Sequence, residues 1–261
     1  MGRRTYCLTL HYDGTRYKGW QRLPGTALTV QGRVEAALTE IFGEPIEIHG
    51  SGRTDAGVHA LGQVASFTAP ELPINKVLPR LRHLLPGDIG AVSLRYAPER
   101  FHARLCAVEK TYIYRLWNSD TPDVFGRHYR SHFSRPLDEE QMRRAAAYLL
   151  GEHDFLAFCS NKHFKKSSVR TLRSLELIRE GEELRFVLKA DGFLYNMVRI
   201  IVGTLLEVGL GQRAPESIPA ILESRQRSQA GETAPPEGLC LLEVRYDEKS
   251  LPPAKVCDMI G

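Results

Sequence analysis

TYCLTLHY, residues 5–12, alternates apolar and polar side chains, as a strand does when one of its faces is buried. Downstream, TVQGRVEAALTEIF (29–42) spaces its apolar residues at helical intervals, with Thr29 placed to cap it. IEIHGS (46–51) and GQVASFTA (62–69) read as strands. INKVLPRLRHLL (74–85) reads as a helix despite Pro79, and IGAVSLRYA (89–97) returns to a strand. The order is β-α-β-β-α-β. The second half repeats it. KTYIYRLW (110–117) is a strand and DEEQMRRAAAYLLG (138–151) a helix with an acidic first turn. VRTLRSLELIRE (169–180) and ELRFVLKADG (183–192) form a hairpin around Gly181. YNMVRIIVGTLLEVGLG (195–211) is a helix ending in glycine, and GLCLLEVRYD (238–247) is a closing strand. Two such units in succession predict a duplicated α+β fold with ferredoxin- or RRM-like halves, a mixed, mainly antiparallel sheet and a central cleft. The halves are expected to divide at 1–105 and 106–261.

A chain of 261 residues, 43% hydrophobic, is long enough to bury one large core or two ordinary ones. It has neither a secretory signal nor an apolar run of about 20 residues, so a soluble cytoplasmic protein is expected. The five cysteines, Cys7, Cys106, Cys159, Cys240 and Cys257, are odd in number, far apart and never in a CxxC pair. That argues against a disulfide framework and against a zinc site. His128 and His132 are four apart, but GRHYRSHFSRP does not read as a helix and offers no acidic partner at a useful spacing. We therefore expect no metal. With 35 basic and 31 acidic residues, the net charge of +4 permits a polyanionic partner without requiring one.

Three loops stand out. DGTRYKGWQRLPG (13–25) is basic, aromatic and glycine-rich. SNKHFKKSSVR (160–170) interleaves Lys162, Lys165, Lys166 and Arg170 with His163 and Phe164. Cations beside rings suit looped or single-stranded RNA, while a solvated loop is the plain alternative. SRQRSQAGETAPPEG (224–238) reads as a polar, loosely held connection.

GSGRTDAGVHA (50–60) is the most informative stretch, with three glycines, an arginine, a threonine and an aspartate packed into one turn. Such a turn can hold Asp55 at the mouth of a cleft, although aspartate and glycine also favour turns on local grounds alone. It lacks the GK[ST] ending of a phosphate-binding loop. Tyr112 and Tyr114 are two apart on one strand and so share a face, as an aromatic platform or as core. Arg199 is set among Met197, Val198, Ile200, Ile201 and Val202. An arginine there either reaches out to water or meets a buried anion, for which Asp55 is the obvious candidate.

Taken in order, GRTDAGVHA…GQV, FHAR…KTYIYRLW and FLYNMVRIIVGTLLEVG resemble the tRNA pseudouridine synthase A family. YDGTRYKGWQRLPG, LPGDI (85–89) and EGLCLLEV add to a likeness that spans residues 5–247. The resemblance implies that Asp55 is the nucleophilic aspartate, with Arg53 in the same loop. It implies that Tyr112 contacts the target base and that Arg199 pairs with the aspartate. His59, Arg104, Lys162, Lys165 and Lys166 are expected with Arg53 on the substrate-binding side. The family's properties imply a homodimer that isomerises uridines at positions 38, 39 and/or 40 of the tRNA anticodon stem-loop, with no cofactor. Two other classes compete. A non-catalytic protein built on paired RNA-recognition folds would leave Asp55 and Arg199 unexplained. A phosphate-handling or glycosyl-cleaving enzyme would need a second carboxylate or a metal cluster.

Overall fold

The computed structural model describes residues 2–161 and 167–252. Lys162, Lys165 and Lys166 lie outside them. Two compact units make up the chain. The first runs to Val108 and takes up the chain again from Leu241; the second spans Glu109–Cys240. The crossing is thus three residues beyond the expected 105/106 division. The closing strand returns to the first unit, as a local reading could not foresee.

In the first unit β1 (Arg3–Tyr12) is followed by α1 (Val30–Phe42), β2 (His49–Gly50), β3 (His59–Pro70), α2 (Ile74–Leu84) and β4 (Ile89–Ala97). β1 pairs antiparallel with β3 on one side and β4 on the other, and β2 pairs antiparallel with β3. Tyr6, Leu8, Leu10 and Tyr12 of β1 are buried, as the alternation of 5–12 predicts, but Thr5 and Cys7 on the other face are buried as well. Thr29 caps α1 by accepting the Gly32 N–H at 3.3 Å. At the other end Gly43 takes a left-handed conformation. Of the expected strand 46–51 only His49–Gly50 pairs: before it the Ile46 and Ile48 N–H groups donate to Thr39 Oγ1 and Glu35 Oε1 of α1, each at 3.1 Å, and after it the chain turns into the loop that carries Asp55.

In the second unit β5 (Ala107–Asn118) leads to β6 (Ser131–Phe133), α3 (Glu139–Ala147), β7 (Gly151–Asp154), β8 (Val169–Glu180), β9 (Glu183–Ala190), α4 (Met197–Gly209) and α5 (Ile218–Ser224). The strand order is β5-β9-β8-β7, antiparallel between neighbours, with β6 added parallel to β5. β10 (Leu239–Tyr246) ends the series and lies beside β3. Tyr246 ties β10 into the first unit by donating its hydroxyl to the Ala103 carbonyl at 2.7 Å. The α+β class and the mixed, mainly antiparallel pairing agree with the expectation from sequence.

The 224–238 connection does not match the expected loose, polar segment. Ala230 and Ala234 are buried there. The Gly231 N–H donates to Thr204 Oγ1 at 2.9 Å and the Ala234 N–H to the Arg199 carbonyl at 3.1 Å. Its backbone is therefore fastened to α4. The polar composition hid this, because backbone groups make the attachment.

An ion-pair cluster closes one end of the second unit. Glu183 is buried and receives Arg115 at 2.6 and 3.0 Å and Arg185 at 2.8 Å, with Arg130 Nε 3.0 Å away. Burial alone would push its carboxyl up, but hydrogen bonds and the surrounding guanidinium charge outweigh it and hold the group at about 2. A pKa lowered by folding adds stability above the unfolded value, and this is lost as pH falls from about 4.3 toward 2. Glu183→Gln removes a charged acceptor and leaves three guanidinium groups facing one another. At pH 7 we expect about 1.5–3 kcal/mol of destabilisation in denaturant unfolding. The gap to wild type should narrow below pH 4. A constant gap down to pH 2.5 would mean that the cluster is not held by this charge.

Candidate active site

The 51–58 loop is formed less by its own sequence than by what lies under it. Leaving β2, the Ser51 N–H donates to the Val64 carbonyl of β3 at 2.7 Å. The chain then reverses at Asp55–Val58, where the Val58 N–H meets the Asp55 carbonyl at 3.1 Å. Gly57, third in this turn, has φ of 80°, which a type II turn requires and side-chain-bearing residues resist. Beneath the loop runs the segment 14–20. The Trp20 N–H donates to the Thr54 carbonyl at 2.9 Å, and its buried ring lies against Gly50. Gly14 approaches so closely that a Cβ there would stand 2.0 Å from the Val58 carbonyl oxygen. Asp55 is half-buried at the head of the turn, and Arg53 points into solvent.

That underpinning corrects the reading of residues 13–25. Tyr17 and Trp20 do not offer their rings for stacking; both are buried. The Tyr17 hydroxyl donates to Asp88 Oδ1 at 2.6 Å. Burial and the Asp88 carboxylate together push the phenol's pKa up. Arg16, Lys18 and Arg22 are exposed. The backbone at Tyr17 and Trp20 thus braces the Asp55 turn, their rings are packed on Asp88 and Gly50, and the cations of the loop face outward. Glycines at 14 and 19 beside buried rings were the available signal, and composition alone obscured it.

His59 begins β3 directly after the turn and is buried. Its Nδ1 accepts the Gly14 N–H at 3.0 Å, so the ring joins the same brace. Arg104 is exposed on a tight turn made by His102. His102 Nδ1 accepts the backbone N–H groups of Arg104 and Leu105 at 3.1 and 3.4 Å. Burial, and then the neighbouring His49 ring stacked at 5.1 Å, lower the His102 pKa and favour the neutral form this acceptor role needs.

In the second unit Tyr112 and Tyr114 do share a face of β5, opposite Leu188 and Phe186 of β9. Tyr114 is core: its hydroxyl donates to the Pro235 carbonyl at 3.0 Å, and burial drives its pKa up. Tyr112 is also buried, edge-on to Phe193 with ring centroids 5.1 Å apart. Arg199 is half-buried on α4. Its Nε donates to the Ala234 carbonyl at 2.6 Å and its Nη1 to Asn196 Oδ1 at 3.0 Å. Its charge is felt at Tyr114, where it opposes the upward shift. The first unit thus carries Arg53 and Asp55 on one loop with His59 at the start of β3, and the second carries Tyr112 on β5 and Arg199 on α4.

A family model described as tRNA pseudouridine synthase matches residues 9–104 and 145–247. The chain belongs to this family. Relatives agree over almost the whole length. A "tRNA pseudouridine synthase A 2" of Bacillus anthracis is 46% identical over 92% of this chain and 99% of its own. The "tRNA pseudouridine synthase A" of Acetivibrio thermocellus is 48% identical over 93% of this chain and 100% of its own. Among solved structures, a chain of a Cbf5-Nop10-Gar1 complex is similar at 13% identity, with a TM-score of 0.37, over 90% of this chain and 48% of that one. Arg53, Asp55, His59 and Arg104 fall in the first matched block and Arg199 in the second, whereas Tyr112 lies in the interval between them.

Proposed function

We propose that this protein isomerises uridine to pseudouridine at positions 38, 39 and/or 40 of the tRNA anticodon stem-loop, with Asp55 as the nucleophilic carboxylate. The observation that carries the reading is the braced, half-buried Asp55 turn in a chain of the tRNA pseudouridine synthase family. The reaction breaks the C1′–N1 bond, turns the uracil and rejoins it through C5. C5 gives up its hydrogen as a proton and N1 takes one up, so the composition is unchanged and no external group donor or acceptor enters the balance. A carboxylate can act here as nucleophile, on the sugar or on the base, or as acceptor of a C2′ proton, and the first of these is its part at anomeric carbons in glycosidases.

A stacked or paired uridine must leave its helix to reach a side chain in a protein interior. Tyr112 supports the extruded ring in this reading. Arg199 keeps Asp55 ionised when water is excluded, since an isolated carboxylate there would take up a proton. Arg53 and Arg104, both exposed, contact the RNA backbone. His59 acts through the brace it makes with Gly14 rather than by touching RNA. We further propose a homodimer that works in the cytoplasm without a cofactor. Among the described residues, no helix is long and apolar enough to cross a membrane. Unmodified tRNA transcripts, incubated with the protein and mapped for pseudouridine at nucleotide resolution, test the reaction and its positions together. Conversion elsewhere in tRNA, with none in the anticodon arm, would overturn the position assignment.

Lys162, Lys165 and Lys166 extend the RNA-binding surface in this proposal. Replacing all three by Gln should weaken binding to every tRNA alike. It should also flatten the slope of log affinity against log salt by about 0.7 to 0.9 for each phosphate no longer neutralised. An unchanged slope in filter-binding titrations would make this segment an ordinary solvated loop.

A further inference from the structure

One buried side chain reaches nearly every residue that precedes Asp55. Gln63 is on β3 opposite Leu10 and is fully enclosed. A buried amide is costly unless both its ends are satisfied. Here both are. Its Oε1 accepts the Ser51 hydroxyl at 2.7 Å. Its Nε2 donates to the Gly52 carbonyl at 3.0 Å and to the Tyr12 hydroxyl oxygen at 3.4 Å. That hydroxyl is in turn 2.8 Å from Thr54 Oγ1. Ser51 and Gly52 are thus held directly and Thr54 through Tyr12, leaving Arg53, whose side chain faces solvent.

The partners fix the direction of the network. A carbonyl oxygen only accepts, so the nitrogen end of the amide must face Gly52 and the oxygen end Ser51. Nε2 gives the Tyr12 hydroxyl a proton to accept, and that hydroxyl shares a second hydrogen bond with Thr54 Oγ1. Reversing the amide would set two oxygens against each other at Gly52. The Gln63 amide therefore has one orientation available beneath the chain that enters Asp55. Loops that carry a reacting group need this kind of support, since a misplacement of about 1 Å can cost a hundredfold in rate.

We infer that Gln63 is a positioning residue for the isomerisation: through Ser51, Gly52 and the Tyr12–Thr54 link it sets where the Asp55 carboxylate points. The inference rests on the reading of Asp55 as the reacting group. Gln63 touches no substrate, so its loss acts on turnover and not on RNA affinity.

The test compares Gln63→Met, Gln63→Glu, Tyr12→Phe and Asp55→Asn by tRNA binding, single-turnover rate and thermal melting. Met keeps the length of the stem and loses every hydrogen bond. Its single-turnover rate at saturating tRNA should fall about tenfold to a hundredfold. Its affinity for tRNA should stay within about threefold of wild type, the pattern of a lost transition-state arrangement. Tyr12→Phe cuts only the arm to Thr54 and should cost less. Combined with Gln63→Met it should add little, because the two residues act in one network. Glu supplies a proton for Gly52 when neutral. Once ionised it sets an oxygen with no proton to give against the Gly52 carbonyl, which can only accept. The Glu variant should therefore lose rate as pH rises, relative to wild type, and regain it on acidification.

A folded Gln63→Met protein with a wild-type single-turnover rate would overturn the inference while leaving Asp55 untouched. If Met does not fold, the Glu series decides, and a rate ratio to wild type that is flat in pH overturns it. An active Asp55→Asn would remove the foundation instead, whatever the Gln63 variants do.

Discussion

Asp55→Asn should bind tRNA as wild type does and form no pseudouridine. Asparagine keeps the shape of the side chain and is as welcome as aspartate at the head of a turn. The turn itself is closed by the Asp55 carbonyl and the Val58 N–H, which the exchange leaves alone. The exposed cations Arg53 and Arg104 are likewise unchanged. What disappears is an ionised oxygen able to form a bond, which an amide replaces poorly. Tritium release from 5-labelled uridine in tRNA reads the turnover, and filter binding reads the affinity. Retention of more than about a tenth of the wild-type rate, a loss under about 1.4 kcal/mol, would sink the assignment of Asp55 as nucleophile.

The brace around Asp55 also marks where sequence reading stops. Elements with their own periodicity were legible. The apolar alternation of 5–12 became β1, and the Thr29 cap and apolar spacing became α1. The hairpin at Gly181 lies where its glycine put it, with φ of 57°. All of these depend on residues a few positions apart. By contrast, Gln63 meets Tyr12 from 51 positions away, and Trp20 supports Thr54 from 34. No local pattern encodes such a distance. A lone glutamine in GQVASF reads as the polar member of an alternating strand, yet it is fully buried because its partners are already there.

The candidate site divides along the same line. GRTDAGVHA identified the Asp55 turn because Gly57 is required by the backbone, as its positive φ demonstrates. The rings of Tyr17 and Trp20 misled, since a basic and aromatic composition fits an RNA-facing loop and a loop with buried rings equally well. Only burial separates the two. Short elements escaped for a different reason. β6 has three residues and β7 four, too few to display a period, and both depend on a longer neighbour to exist. The return of β10 to the first unit is a matter of strand pairing, which a list of elements in chain order does not contain.

Arg199→Met tests the last link of the proposed chemistry, the support of Asp55 by a positive charge. Methionine keeps much of the apolar stem and removes the guanidinium. If Arg199 holds Asp55 ionised, its loss lets both desolvation and the missing charge favour the neutral acid. Turnover should fall, and the acid limb of the pH–rate profile should move to higher pH, because the ionised form reacts. Arg199→Lys keeps the charge and loses the planar fork that can grip two oxygens. It should lie between wild type and Met in rate, with the smaller shift. A structural loss could imitate the fall in rate but not the shift. Arg199 also donates to the Ala234 carbonyl and Asn196 Oδ1, so Met leaves a part-buried acceptor open at about 1–3 kcal/mol. Thr204→Val supplies the control. It removes the acceptor of the Gly231 N–H and so loosens the same 230–235 segment while leaving the Arg199 charge in place. Its melting temperature should drop with that of Met, and its acid limb should stay at the wild-type pH. An Arg199→Met protein that is folded, turns over at the wild-type rate and keeps its acid limb would separate Arg199 from the reaction and leave it as the clamp that holds residues 230–235 to α4.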